Sequence, residues 1–297
     1  MRVKLLLVSF LFGITSSLSA DEESKEINDK NNSFGLSLSS GVSRQDFDEV
    51  DSTLKSILLQ PYFFWSNGWA SLDVPWYSID GNYLIQTSRP TLSLVCKRML
   101  SASPAVLQAR IKSGKLTRDA VDACLSNSNS QNNVNYKSSG VGDLNASVNY
   151  LFALDDDAVW SLAAGVSYKL DNGDVDTGLG SGTKDLGIGF TLSAEKGRWH
   201  NNFILGYTNV SAGDLLYQNY GYGAVDIAVD TLNWLTLGAT LSQQQASIVD
   251  GSSVKSFSFN VITKFSDELT FSLVLTNYLN TPDYPDREYG VVMSYSF

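Results

Sequence analysis

The strongest constraint in this chain is a period of two in its apolar residues, kept up to the last position. Tyr289, Val291, Met293, Tyr295 and Phe297 share one face of an extended segment, and Gly290, Ser294 and Ser296 share the other, with Val292 its only large apolar member. Leu269, Phe271, Leu273 and Leu275 alternate in the same way with Thr270, Ser272, Val274 and Thr276. So do Leu186, Ile188, Phe190 and Leu192 with Asp185, Gly187, Gly189 and Thr191. This is strand periodicity with one apolar face and one face of small polar residues. The runs last about 10–14 residues, whereas strands of soluble sheets usually have about 5–6. Tilted strands that cross a bilayer need about 9–11 residues plus their ends.

Twelve such runs occur: 34–44, 54–66, 69–77, 140–153, 158–170, 183–195, 199–210, 221–231, 234–248, 254–265, 269–279 and 288–297. Short connections, such as the Asn67-Gly68 turn, alternate with longer ones at 45–53, 78–139, 171–182, 211–220, 249–253 and 280–287. Short periplasmic turns opposite longer outer loops are the outer-membrane pattern. Hydrocarbon satisfies no backbone polar group, so such a sheet must close on itself. The expected fold is a closed, all-β, antiparallel transmembrane barrel of about 12 strands. Trp65, Trp69, Trp160, Trp199 and Trp234 all flank short turns, with Phe152, Phe265 and Phe297 at the same level. That matches an interfacial aromatic girdle.

Composition narrows the classes further. Charged residues make up 18% and hydrophobic residues 43%, which excludes a disordered chain. The net charge of −10 offers no basic footprint for nucleic acid. One His and two Cys leave too few ligands for a zinc cluster of those residues. Residues 1–20 carry Arg2 and Lys4, an apolar run from Leu5 to Ile14, and small residues ending at Ala20. They read as a secretory signal peptide cleaved after Ala20. Residues 21–33 read as a flexible acidic lead-in, and 34–297 as the barrel.

The final aromatic of the last run, with alternating apolar residues before it, resembles the C-terminal signature of bacterial outer-membrane barrels. That resemblance implies recognition by the barrel-insertion machinery. The stretch Gly140-Val141-Gly142-Asp143-Leu144, then Gly165-Val166-Ser167-Tyr168, the loop from Gly178 to Asp185, and Gly206-Tyr207-Thr208 also carry a likeness. Over roughly residues 140–250 the chain resembles the MetA-pathway of phenol degradation family, predicted outer-membrane transporters. The resemblance implies a barrel that passes small hydrophobic or aromatic compounds.

The 78–139 insert breaks the strand rhythm. Ser103 and Pro104 suit a helix start, Gly114 a stop, and Thr117 a second start. Cys96 and Cys124 flank this pair and are expected to form a disulfide in an exported protein. Such an extracellular helical insert is basic, through Arg89, Lys97, Arg98, Arg110, Lys112, Lys115 and Arg118. It reads as a lid, a contact for lipopolysaccharide, or a stapled surface loop.

The polar parity places Tyr62, Asp73, Asp143, Lys169, Asp185, Glu195, His200, Asp226 and Lys264 in the lumen. Charges turned away from lipid mark either a solute path or a structural ion-pair network. His200 shares its parity with Glu195 across a short turn, which favours a structural pair. The acidic segment Asp171–Gly178 has the composition of a calcium loop, but position twelve from Asp171 is Gly182 rather than Glu, so it reads as an outer loop. No nucleophile elbow, zincin motif or P-loop occurs. No enzyme activity, cofactor or metal is therefore expected. The leading expectation is a monomeric, passive outer-membrane channel for small solutes. The alternative is a structural or interaction barrel with a filled lumen, binding a partner through its insert.

Overall fold

The computed structural model describes residues 32–46, 51–80, 137–153, 159–174, 179–211, 218–247, 253–279 and 286–297, with three positions of the insert. The signal peptide, the lead-in up to residue 31, Cys96 and Cys124 lie outside the described residues, and the lead-in's last residue, Ser33, already belongs to the first strand. In the insert Gln108, Ile111 and Lys112 are described, and all three are helical.

The strands are β1 (Ser33–Asp46), β2 (Asp51–Trp65), β3 (Gly68–Asp80), β4 (Lys137–Val141), β5 (Asn145–Ala153), β6 (Trp160–Lys169) and β7 (Lys184–Lys196). They continue as β8 (Trp199–Ser211), β9 (Tyr220–Leu232), β10 (Leu235–Gln244), β11 (Val254–Lys264), β12 (Leu269–Leu279) and β13 (Arg287–Ser296). β4 and β5 both pair with β3, at its outer and inner halves. They are one barrel strand broken at Gly142–Leu144, so the ring has twelve staves. Every neighbour pairing is antiparallel, and β1 pairs with β13 from Ser37↔Ser296 to Asp46↔Arg287, which closes the sheet. Closure leaves no row of unpaired N–H and C=O groups facing lipid.

The distribution of burial is that of a molecule turned inside out. Among the described residues thirty-eight large hydrophobic side chains are exposed, while the buried set holds fourteen hydrophobic and nineteen polar or charged residues. A soluble domain would invert that ratio. The exposed side chains follow the period of two: Phe203, Leu205 and Tyr207 on β8, Phe257 and Phe259 on β11, Tyr289, Val291, Met293 and Tyr295 on β13. The apolar band is the surface that only hydrocarbon would cover.

Trp160, Trp199 and Trp234 are exposed at the short-turn end, with Phe152, Phe265 and Phe297. Trp69 departs from the girdle. It is 7% exposed and faces inward, because its strand parity is opposite to that of Leu72 and Trp76. A turn-flanking position fixes the level of a side chain but not its side. A second set of outward aromatics lies toward the other rim, with Trp76, Tyr168, Tyr207 and Tyr289.

Candidate functional site

The interior wall is built mainly from Gly, Ser, Thr and Asn, with Ile204, Ile262 and Val292 among its apolar members, and cross-strand pairs tie it together. Ser39 Oγ donates to Ser294 Oγ at 2.8 Å, and hydroxyl pairs also join Ser71 to Ser147, Ser242 to Ser256 and Ser258 to Thr276. These pairs are available because directly opposite residues in an antiparallel sheet point to the same face. Glycine serves a second purpose here. Tyr222 on β9 stands opposite Gly206 on β8, and a Cβ on Gly206 would collide with the Tyr222 ring. Tyr62 lies against Gly35 in the same manner. Each ring therefore lies along the wall instead of standing into the lumen.

The candidate residues fall into three levels along the axis. At the outer end Lys169 Nζ lies 2.9 Å from Asp185 Oδ2 and 3.5 Å from Asp143 Oδ2, with all three side chains at most 8% exposed. Lys169 also donates to Ser181. Midway along their strands, Asp73 accepts from Gln60 Nε2 at 2.7 Å and Asn145 Nδ2 at 3.2 Å. Asp226, 2% exposed, accepts from Asn202 Nδ2 at 3.1 Å and Thr240 Oγ1 at 2.8 Å. At the inner end His200 Nε2 hydrogen-bonds Asp230 Oδ2 at 2.9 Å, and its Nδ1 lies 3.7 Å from Glu195 Oε1. Thr236 Oγ1 donates to Asp230 Oδ1 at 2.6 Å. Lys264 ends β11 at the same rim.

Three contributors escaped the sequence reading. Asp230 has the parity of Asp226, four residues on, and that signal was available. Glu288 accepts from Tyr278 at 2.9 Å and from Gln45 at 3.3 Å at the outer rim. The third is the connection between β6 and β7, read as an outer loop. Its described residues, 170–174 and 179–183, fold inward at the break in the wall. Asn172 fills the gap, accepting from Leu144 N at 2.8 Å and donating to Gly142 O at 3.0 Å. Asp143 accepts from Gly173 N and from both N and Oγ of Ser181, at 2.8–2.9 Å. Leu179 packs with the inward-facing Leu54, Tyr77 and Ile79 of β2 and β3. The segment thus reaches from β6 to β2 across the wall. No periodicity marks such a contact in sequence.

Among the described residues no group of three or more His, Cys, Asp or Glu is placed to hold a metal ion. The inner-end His200 is held between the carboxylates of Asp230 and Glu195, which orient its ring.

No protein-family model matches the chain, and no curated protein matches it by sequence. Solved structures do. An outer membrane channel from Pseudomonas putida F1 is similar with a TM-score of 0.55 at 11% identity, over 89% of this chain and 95% of the other. The KdgM porin gives a TM-score of 0.49 at 12% identity, over 88% and 99%. The CymD monoaromatic hydrocarbon channel gives 0.44 at 10%, over 97% and 94%. The first likeness establishes the fold, a closed outer-membrane-type β-barrel. The other two are too weak to add to it.

Proposed function

We propose that this chain is a passive outer-membrane channel for small solutes. The observation that carries the reading is the opposition of two surfaces on one closed ring, an outward apolar band and an inward polar wall. Diffusion down a gradient needs no cofactor, and selectivity comes from radius, charge placement and the inward segment. Twelve strands at a spacing of about 4.8 Å and a tilt of about 40° give a Cα diameter of about 24 Å. That exceeds the eight-stranded barrels whose interiors fill completely with side chains. The wall-hugging Tyr62 and Tyr222 favour passage over filling.

Residues 140–250 support membership of the phenol-degradation transporter family named above, and with it small hydrophobic or aromatic solutes. In this reading the leader is removed after Ala20, Phe297 addresses the insertion machinery, and the protein works as a monomer in lipid and lipopolysaccharide. In the same reading Cys96 and Cys124 pair, and the basic insert serves as a lid, a lipopolysaccharide contact or a stapled surface loop. The second reading, a filled interaction barrel, draws on the inward segment and the enclosed Asp226. Planar-bilayer recording of the refolded protein separates the two. A channel gives discrete conductance steps, and a folded barrel with neither steps nor solute-driven liposome swelling overturns the first reading.

A further inference from the structure

Resting on the channel reading, we infer that the lumen is cation-selective and passes small cations and cationic organic solutes in preference to anions. The first observation is a sorting of charge by strand parity. Arg44, Lys137, Lys184, Lys196, Lys255 and Arg287 all lie on the outward face and are exposed, toward the strand ends. The carboxylates of the strands lie mainly on the inward face. At the outer level Asp143 and Asp185 face Lys169, and Glu288 accepts from the neutral Tyr278 and Gln45. At the inner level Glu195 and Asp230 accompany His200 and Lys264.

The second observation is the middle level. Asp73 is the sixth residue of β3 and Asp226 the seventh of β9. The two strands are five apart in a ring of twelve, so these carboxylates occupy nearly opposite walls. Their hydrogen-bond donors are Gln60, Asn145, Asn202 and Thr240, all neutral. Neutral donors orient a carboxylate without cancelling its charge. Any solute crossing the barrel passes between two such groups with no compensating cation on the described wall at that height.

Range decides whether the field reaches the axis. The barrel radius is about 12 Å to Cα, and a carboxyl group projects inward from that line. The distance left is within the Debye length of about 10 Å at 0.1 M salt, but well beyond the roughly 3 Å at 1 M. Rings of acidic side chains in a low-dielectric wall raise the local cation concentration by this mechanism.

The test is the reversal potential of the full chain in a planar bilayer under a KCl gradient, near 0.1 M and near 1 M. The expected K⁺/Cl⁻ permeability ratio is at least about 3 at the low concentration and closer to one at the high. Asp73→Asn and Asp226→Asn, alone and together, keep the shape of the side chain, and the double variant lowers the ratio about twofold or more. Heat-modifiable migration on a gel checks that each variant is folded, and Asp73→Asn alone serves if Asp226→Asn does not fold. Lys255→Gln, on the lipid face, leaves the ratio unchanged. Conductance with a ratio at or below one, or a ratio untouched by folded Asp73→Asn, overturns the inference and leaves the channel reading intact. Absence of conductance in a folded barrel overturns both.

Discussion

Gly206 and Tyr222 show how a single missing side chain sets the width of a lumen. With hydrogen at Gly206 the tyrosine ring lies flat across β8; with a methyl group it cannot. Gly206→Ala is expected to turn Tyr222 into the lumen and cut single-channel conductance, at a stability cost of about 1–3 kcal/mol from overpacking. Tyr222→Ala added to it should restore the conductance, and recordings of the three proteins check both statements. Lys169 is the other informative residue. It is the cation between two enclosed carboxylates, Asp143 and Asp185. Lys169→Met leaves them facing each other without it, a loss of about 3–5 kcal/mol for breaking a buried pair. Chemical-denaturant unfolding of the refolded barrel measures it. The sequence disclosed that these residues share a parity. It did not disclose that Ser181, from a connection, completes their cluster.

At the scale of elements, the strands were the most legible part. Alternation alone located all twelve staves, because a strand between water and lipid must write its two faces into every second residue. Two features were not written that way. The break at Gly142–Leu144 appears as an uninterrupted run, since Asn172 supplies from another segment the partners of Leu144 N and Gly142 O. The connection 170–183 is acidic and glycine-rich, and such a composition reads as a solvated loop. Its inward course depends on Leu179 finding Leu54, Tyr77 and Ile79, contacts of long sequence separation. Asp143→Ala removes the acceptor of three hydrogen bonds that pin this segment. The expected outcome is a larger or noisier conductance with the barrel still folded. An unchanged trace would mean that the segment does not border the path.

For the molecule as a whole, closure is the decisive act. β1 and β13, the ends of the chain, form the seam, and Phe297 N donates to Leu36 O at 2.8 Å as its last rung. Phe297 itself points outward, its ring 4.6 Å from that of Tyr295. Deleting Phe297 is expected to lower the yield of assembled, heat-modifiable barrel in cells, with little effect on the conductance of the fraction that does assemble. Water wets the inward face of the barrel and lipid covers the outward one. Cysteine scanning along β10 measures this directly, with Cys96 and Cys124 replaced by Ser and the protein held in lipid vesicles. A small water-soluble thiol reagent should label Cys at 236, 240 and 242 and spare Cys at 237, 239 and 241. Labelling without alternation, or with the opposite phase, would contradict the account.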